Sequence, residues 1–171
     1  MDEMQGEGVP PEALRQLDVR DTSGHWQRSL AFVNLVEEFA GPDAAHPDPE
    51  ARQRRIVEAL ARRWDNEPPD HPVILAGSTG SRGATLLLMQ AVAQLPQGAV
   101  ILPGFDTDMP GSVWGSLGDA LTGEDHPQFR FARLLEALGC KPGDIAGWTD
   151  TPPPDPARNR LVSLALRPAP V

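Results

Sequence analysis

The sequence contains no tyrosine, a single cysteine and a single lysine, and no long uninterrupted apolar run. Its apolar stretches fall far short of the ~18 residues that a membrane-spanning helix needs, which excludes an integral helical membrane protein. The lone Cys140 can form neither an internal disulfide nor a multi-cysteine metal site, so a reducing, cytoplasmic setting is expected. The opening Met1-Asp2-Glu3-Met4-Gln5 lacks the basic and apolar regions of a secretory leader, and none is expected. No self-similarity with a period of about 20–50 residues is visible, which excludes a solenoid. Of 15 basic residues all but Lys141 are arginine, a bias that fits a GC-rich coding sequence better than any mechanism.

What is present looks globular. The 171 residues have the length of one domain, with 40% apolar and 23% charged residues, ordinary values for a folded chain. The net charge of −9 makes the chain a poor nucleic-acid binder by itself, because phosphate contacts need clustered cations. Nineteen prolines beside 16 glycines predict short elements with frequent interruptions.

Residues 9–17 read as a short helix entered through proline. A longer helix is expected from Ser23 to Ala40, capped by Thr22 or Ser23, with Trp26, Leu30, Val33 and Val36 on one stripe. The next runs from about Pro49 to Trp64, with Ile56, Val57, Leu60, Ala61 and Trp64 sharing a face. After the break at 66–72, Val73-Ile74-Leu75-Ala76 is a continuous apolar run, the mark of a strand buried on both faces. A helix over 82–95 and a second buried strand over 99–102 complete a βαβ unit, whose crossover should be right-handed. A weak helix is expected over 110–121, and a firm one from Pro127 to Leu138. The firm helix should be capped by His126 or Asp125 and ended by Gly139. An extended spacer at 151–156 precedes a last helix over 157–167. The expected organisation is therefore a helical segment (1–66), a βαβ unit (67–109) and a second helical segment (110–171). A two-stranded parallel sheet leaves two apolar edges open, which natural domains avoid. Such a layer is a piece of a larger sheet or half of an obligate complex.

The loop Gly77-Ser78-Thr79-Gly80-Ser81-Arg82-Gly83 fits G-x-x-G-x-x-G between strand and helix, where backbone N–H groups cradle phosphate. Asp106, 23 residues past Gly83, could then meet a ribose hydroxyl. Gly77, Ser78, Thr79, Gly80 and Ser81 are thus the candidate nucleotide-binding residues. Gly83-Ala84-Thr85 has alanine where a P-loop needs lysine, which argues against a stand-alone ATPase. Five arginines against Glu58 give residues 51–64 a local charge of +4, so Arg52, Arg55, Arg62 and Arg63 are candidates for DNA or partner contact. A merely solvated helix face is the more common use of such a pattern. Asp106 and Asp108 are read as turn formers rather than Mg²⁺ ligands. The separated His25, His46, His71 and His126 do not support a zinc site. No serine lies in a nucleophile elbow, and Cys140 reads as a half-buried loop residue. Packing is the expected role of the tryptophans. No catalytic residue and no metal ligand is assigned.

Four blocks carry a resemblance: His25-Trp-Gln-Arg-Ser-Leu-Ala-Phe32, Pro72-Val-Ile-Leu-Ala-Gly-Ser-Thr-Gly-Ser81, Leu95-Pro-Gln-Gly-Ala-Val-Ile-Leu-Pro-Gly-Phe-Asp106, and His126-Pro-Gln-Phe129 with Arg133-Leu-Leu135. In order and spacing they resemble the alphaproteobacterial-type AddB family of double-strand break repair proteins, subunits of the AddAB helicase–nuclease. Leu161-Val-Ser-Leu-Ala-Leu-Arg-Pro168 continues the likeness. The resemblance implies a partial RecA-like, P-loop helicase-like layer: an interior stretch of the helicase-like N-terminal half of a much longer subunit. It implies a non-catalytic role in DNA repair and recombination, with the rest of AddB and the AddA motor as partners. DNA would be met through the complex, in the cytoplasm, with no membrane contact. The family's ATP, Mg²⁺ and iron–sulfur cluster are not expected in this chain. Cys140 supplies none of the cluster's four-cysteine pattern, no nuclease carboxylate–lysine motif is present, and Ala76-Gly77-Ser78 has no acid where a motor places its Walker B carboxylates. Two alternatives come from other classes: a small nucleotide-binding protein using the 77–83 loop, and a DNA-binding module using Arg52–Arg63.

Overall fold

The computed structural model describes residues 7–10, 13, 16, 31–32, 49–79, 83–118 and 123–167. Most of the helices expected over 9–17 and 23–40, including Trp26, lie outside these residues. The described chain is mixed α/β, with five α-helices and one two-stranded parallel sheet. It divides into two compact units, one comprising residues 1–66 with 82–87 and the other 67–81 with 88–171.

In the first unit, α1 (Pro49–Asn66) is built from alanine, arginine, leucine and glutamate, all good helix formers. Glu50 in its first turn and Arg63 in its last complement the helix dipole. Pro68 ends it, because the residue before a proline is pushed out of the α region. Val57 is buried, and Leu60, Ala61 and Trp64 are half-buried on the same side. Ile56, expected on that face, is instead 57% exposed.

In the second unit, β1 (Val73–Ala76) pairs in parallel with β2 (Gly98–Ile101), Val73 opposite Gly98 and Ala76 opposite Ile101. They are joined through α2 (Ala84–Ala93), whose first turn belongs to the other unit. The return from α2 into β2 is so tight that a Cβ on Gly98 would sit 1.8 Å from the Val92 carbonyl oxygen. Only glycine fits there. The expectation that β1 is buried on both faces is overturned. Val73 and Leu75 are half-buried while Ile74 and Ala76 are exposed, the alternation of a strand covered on one face. An apolar run reports what a strand can bury, and not what lies beside it.

The core of this unit forms after β2. Met109, Trp114, Leu117 and Phe131 are buried together, with Leu102, Phe105, Val113 and Ala132 packed against them. The Phe105 and Trp114 rings stack with centroids 4.9 Å apart, and Phe105 lies 5.9 Å from Phe131. Trp114 and Val113 come from the one-and-a-half-turn α3 (Gly111–Ser116). Phe131 comes from α4 (Phe129–Leu138), which also buries Phe129, Leu134 and Leu135. Each of these side chains contributes roughly 1.5–3 kcal/mol by leaving water. Gly139 ends α4 in the left-handed conformation, φ 67°, and the N–H of Cys140 closes back on the Leu135 carbonyl. A short 3₁₀ turn, Pro142–Asp144, follows, and α5 (Pro156–Ala165) closes the described chain, its first turn capped by the Asp155 carboxylate accepting from the Arg158 N–H at 2.9 Å.

Candidate functional site

The loop after β1 begins at Gly77, which is exposed with φ 82°, followed by half-buried Ser78 and exposed Thr79. Gly80 and Ser81 lie outside the described residues. At the start of α2 the Gly83 N–H donates to a Glu7 carboxylate oxygen at 3.1 Å. A helix N-terminus attracts anions through its unpaired N–H groups and its dipole. Here that donor meets a carboxylate of the same chain, which would compete with any phosphate for it.

The four candidate arginines are all exposed on α1. At 3.6 residues per turn, Arg52, Arg55, Arg62 and Arg63 fall within an arc of about 100° and span about 16 Å of helix. Ala59 lies between them and Ile56 just beside them, both exposed, and no acidic residue of α1 falls in that arc. Arg54 points elsewhere and pairs with Glu58 at 2.8 Å. Arg54 and Glu58 thus share one side of the helix, and Arg52, Arg55, Arg62 and Arg63 share another. The 77–81 loop and this face belong to different units.

Beyond β2, the Asp108 N–H donates to Asp106 Oδ1 at 2.9 Å. This is an Asx turn, so Asp106 acts as the turn former expected of it. The residue that organises this loop is one the sequence did not single out. Gln128, just before α4 and buried, donates from Nε2 to the Gly104 carbonyl at 2.9 Å and accepts at Oε1 from the Asp106 N–H at 3.1 Å. Its own N–H donates to His126 Nδ1 at 3.1 Å. That bond holds the turn before α4 but does not cap the helix: the N-cap position is Gln128 and has no side-chain cap, so the cap expected from His126 or Asp125 is not found, and the helix starts at Phe129 rather than Pro127. A glutamine at a helix start reads as solvent-facing, and only its tertiary neighbours reveal the clamp.

Trp114 is in the core, Trp64 half-buried and Trp148 73% exposed, so the expected packing role fails for Trp148. Cys140 is exposed rather than half-buried, because the glycine cap turns the chain outward before the 3₁₀ segment. Among the described residues no three His, Cys, Asp or Glu side chains converge as a metal site would need, and no helix is long and apolar enough to cross a membrane. No family model, no curated protein and no solved structure matches this chain.

Proposed function

We infer that the chain acts as a non-catalytic, helicase-like segment of an AddB-like subunit, supporting the DNA path and the motor contact of a helicase–nuclease. The observation that carries this reading is the two-stranded parallel sheet with Ile74 58% exposed. Parallel sheets are stable when both faces are covered, so this layer is suited to a position inside a larger one. The arginine face of α1 adds a surface suited to phosphates, in a chain whose net charge is otherwise acidic. In this reading Arg52, Arg55, Arg62 and Arg63 hold the backbone of DNA without reading bases, ATP, Mg²⁺ and the iron–sulfur cluster belong to other parts of the assembly, and the complex works in the cytoplasm.

The test is reconstitution of the chain within an AddB-like subunit together with its AddA-like motor. Changing the four arginines to glutamine should weaken DNA binding by the complex and flatten its salt dependence by up to about four phosphate contacts. An unchanged salt slope would reject the DNA-path role. Failure of the chain to be accommodated in any such complex would reject the reading as a whole. The small nucleotide-binding alternative is less well supported, since Glu7 occupies the donor that a phosphate would use.

A further inference from the structure

His126 is half-buried in the turn that leads into α4. Its Nδ1 accepts the Gln128 N–H at 3.1 Å, and its Nε2 is buried without a hydrogen-bond partner among the described residues. A neutral imidazole has one donor and one acceptor nitrogen. Since Nδ1 is the acceptor here, the ring proton sits on Nε2. More than one turn depends on this contact. Gln128 is the residue whose buried side chain holds the loop after β2, through the Gly104 carbonyl at 2.9 Å and the Asp106 N–H at 3.1 Å. Between those two anchors lies Phe105, stacked on Trp114. Histidine, glutamine and loop are therefore in series: the ring fixes the Gln128 backbone, and the Gln128 side chain fixes residues 104–106.

A second proton changes the first link of that series. An imidazolium carries N–H on both nitrogens and accepts at neither, so the Gln128 N–H would face another donor. Nε2, already buried without a partner, offers the added charge no acceptor. The charged groups on the elements joined by these bonds are Glu124 and Asp125 in the same turn, Arg130 on α4, Asp106 and Asp108 in the loop, and Arg167 after α5. Arg130 pairs with Glu124 at 3.1 Å, Asp106 Oδ1 accepts the Asp108 N–H at 2.9 Å, and Arg167 Nη2 donates to the Asp108 carbonyl at 3.4 Å. All six are unchanged in a variant of His126 alone, so a comparison at that position isolates the ring. We propose that His126 is a proton-operated latch on the loop after β2. Neutral, it holds Gln128 and residues 104–106 against the start of α4. When Nδ1 takes a proton from solvent, the Gln128 N–H is released and the segment loosens. An imidazole is the side chain that changes charge between about pH 5 and 8, so mild acid operates the latch. It stands independently of the AddB-like reading.

The full chain, isotope-labelled, is followed by NMR from about pH 7.5 to about pH 5. At the upper end the ring nitrogens should show the Nε2–H tautomer. As the ring takes up its proton, the Gln128 and Asp106 amide signals should shift in step with it. Their hydrogen exchange, corrected for its intrinsic change with pH, should rise about tenfold, the weight of one lost hydrogen bond. His126→Asn keeps an acceptor for the same N–H, as in an Asx turn, but has no charge to gain, so both amides should stay protected throughout. The Leu134 and Leu135 amides, inside α4, should not respond in either protein. A ring with its proton on Nδ1 at neutral pH would overturn the proposal. So would no protonation of the ring above about pH 5, protonation without a response at Gln128 and Asp106, or an equal response in the asparagine variant.

Discussion

Helices α4 and α5 have the same length, ten residues each, yet they relate to the rest of their unit in opposite ways. The first turns Phe129, Phe131, Leu134 and Leu135 into the interior and leaves Arg133 and Glu136 outside, paired at 2.7 Å. The second turns one serine inward and leaves its leucines in water. Amphipathic periodicity makes a helix, but it does not say which molecule will meet the apolar face. For α4 the partner is the 102–117 segment of the same chain, held in place by the Gln128 clamp. For α5 the aliphatic side chains Leu161, Val162 and Leu164 stay about half or more exposed. The comparison separates a part of the fold that is finished from a part that calls for a neighbour.

The sharpest way to break that distinction is truncation in both helices. Leu134→Ala removes a side chain only 1% exposed and should cost about 2–5 kcal/mol, lost transfer energy plus the cavity left behind. Leu161→Ala, at 66% exposure, should change stability of the isolated chain by less than about 0.5 kcal/mol. Urea unfolding of the two variants measures both, and similar losses would mean that α5 is packed after all. Next in size is Gln128→Ala. It leaves the Gly104 carbonyl and the Asp106 N–H without their partner, at about 1–3 kcal/mol, and should accelerate hydrogen exchange at Asp106. Losses of similar or smaller size than that of Gln128→Ala belong to the helix ends. Gly139→Ala forces a Cβ into φ 67° and should cost about 1–2 kcal/mol in the same unfolding experiment. Asp155→Ala removes the α5 cap at about 1 kcal/mol of local helix stability. That loss should register in helical circular dichroism and not in the unfolding midpoint if α5 opens independently of the core.

The same comparison explains how much of the molecule was legible in its residues. The βαβ unit, α1, and α4 with its Gly139 stop follow from periodicity, proline and glycine, which act within a few positions of the chain. Strand β2 begins one residue earlier than its apolar run, at Gly98, because the tight exit from α2 is a steric matter. What stayed hidden is tertiary. Ile74 belongs to a run that reads as doubly buried, yet its outward face has no cover among the described residues. The exposure of the α5 leucines is invisible to a hydrophobic pattern, which shows what can be buried and not what covers it. Of the candidate site residues, the α1 arginines emerged on one face because helical spacing alone puts them there. The contact of Gly83 with Glu7 joins residues 76 positions apart, and no local signal foretells it.

The central claim is that the 102–135 core stands on its own while β1 and α5 await cover. Native-state hydrogen exchange on the isolated chain tests it most directly. Amides from Phe131 to Leu135 should exchange only through the largest opening of their unit, whereas those of β1 and of Leu161–Leu164 should exchange far sooner, by local opening. Equal protection of β1, α5 and α4 in the isolated chain would contradict the account.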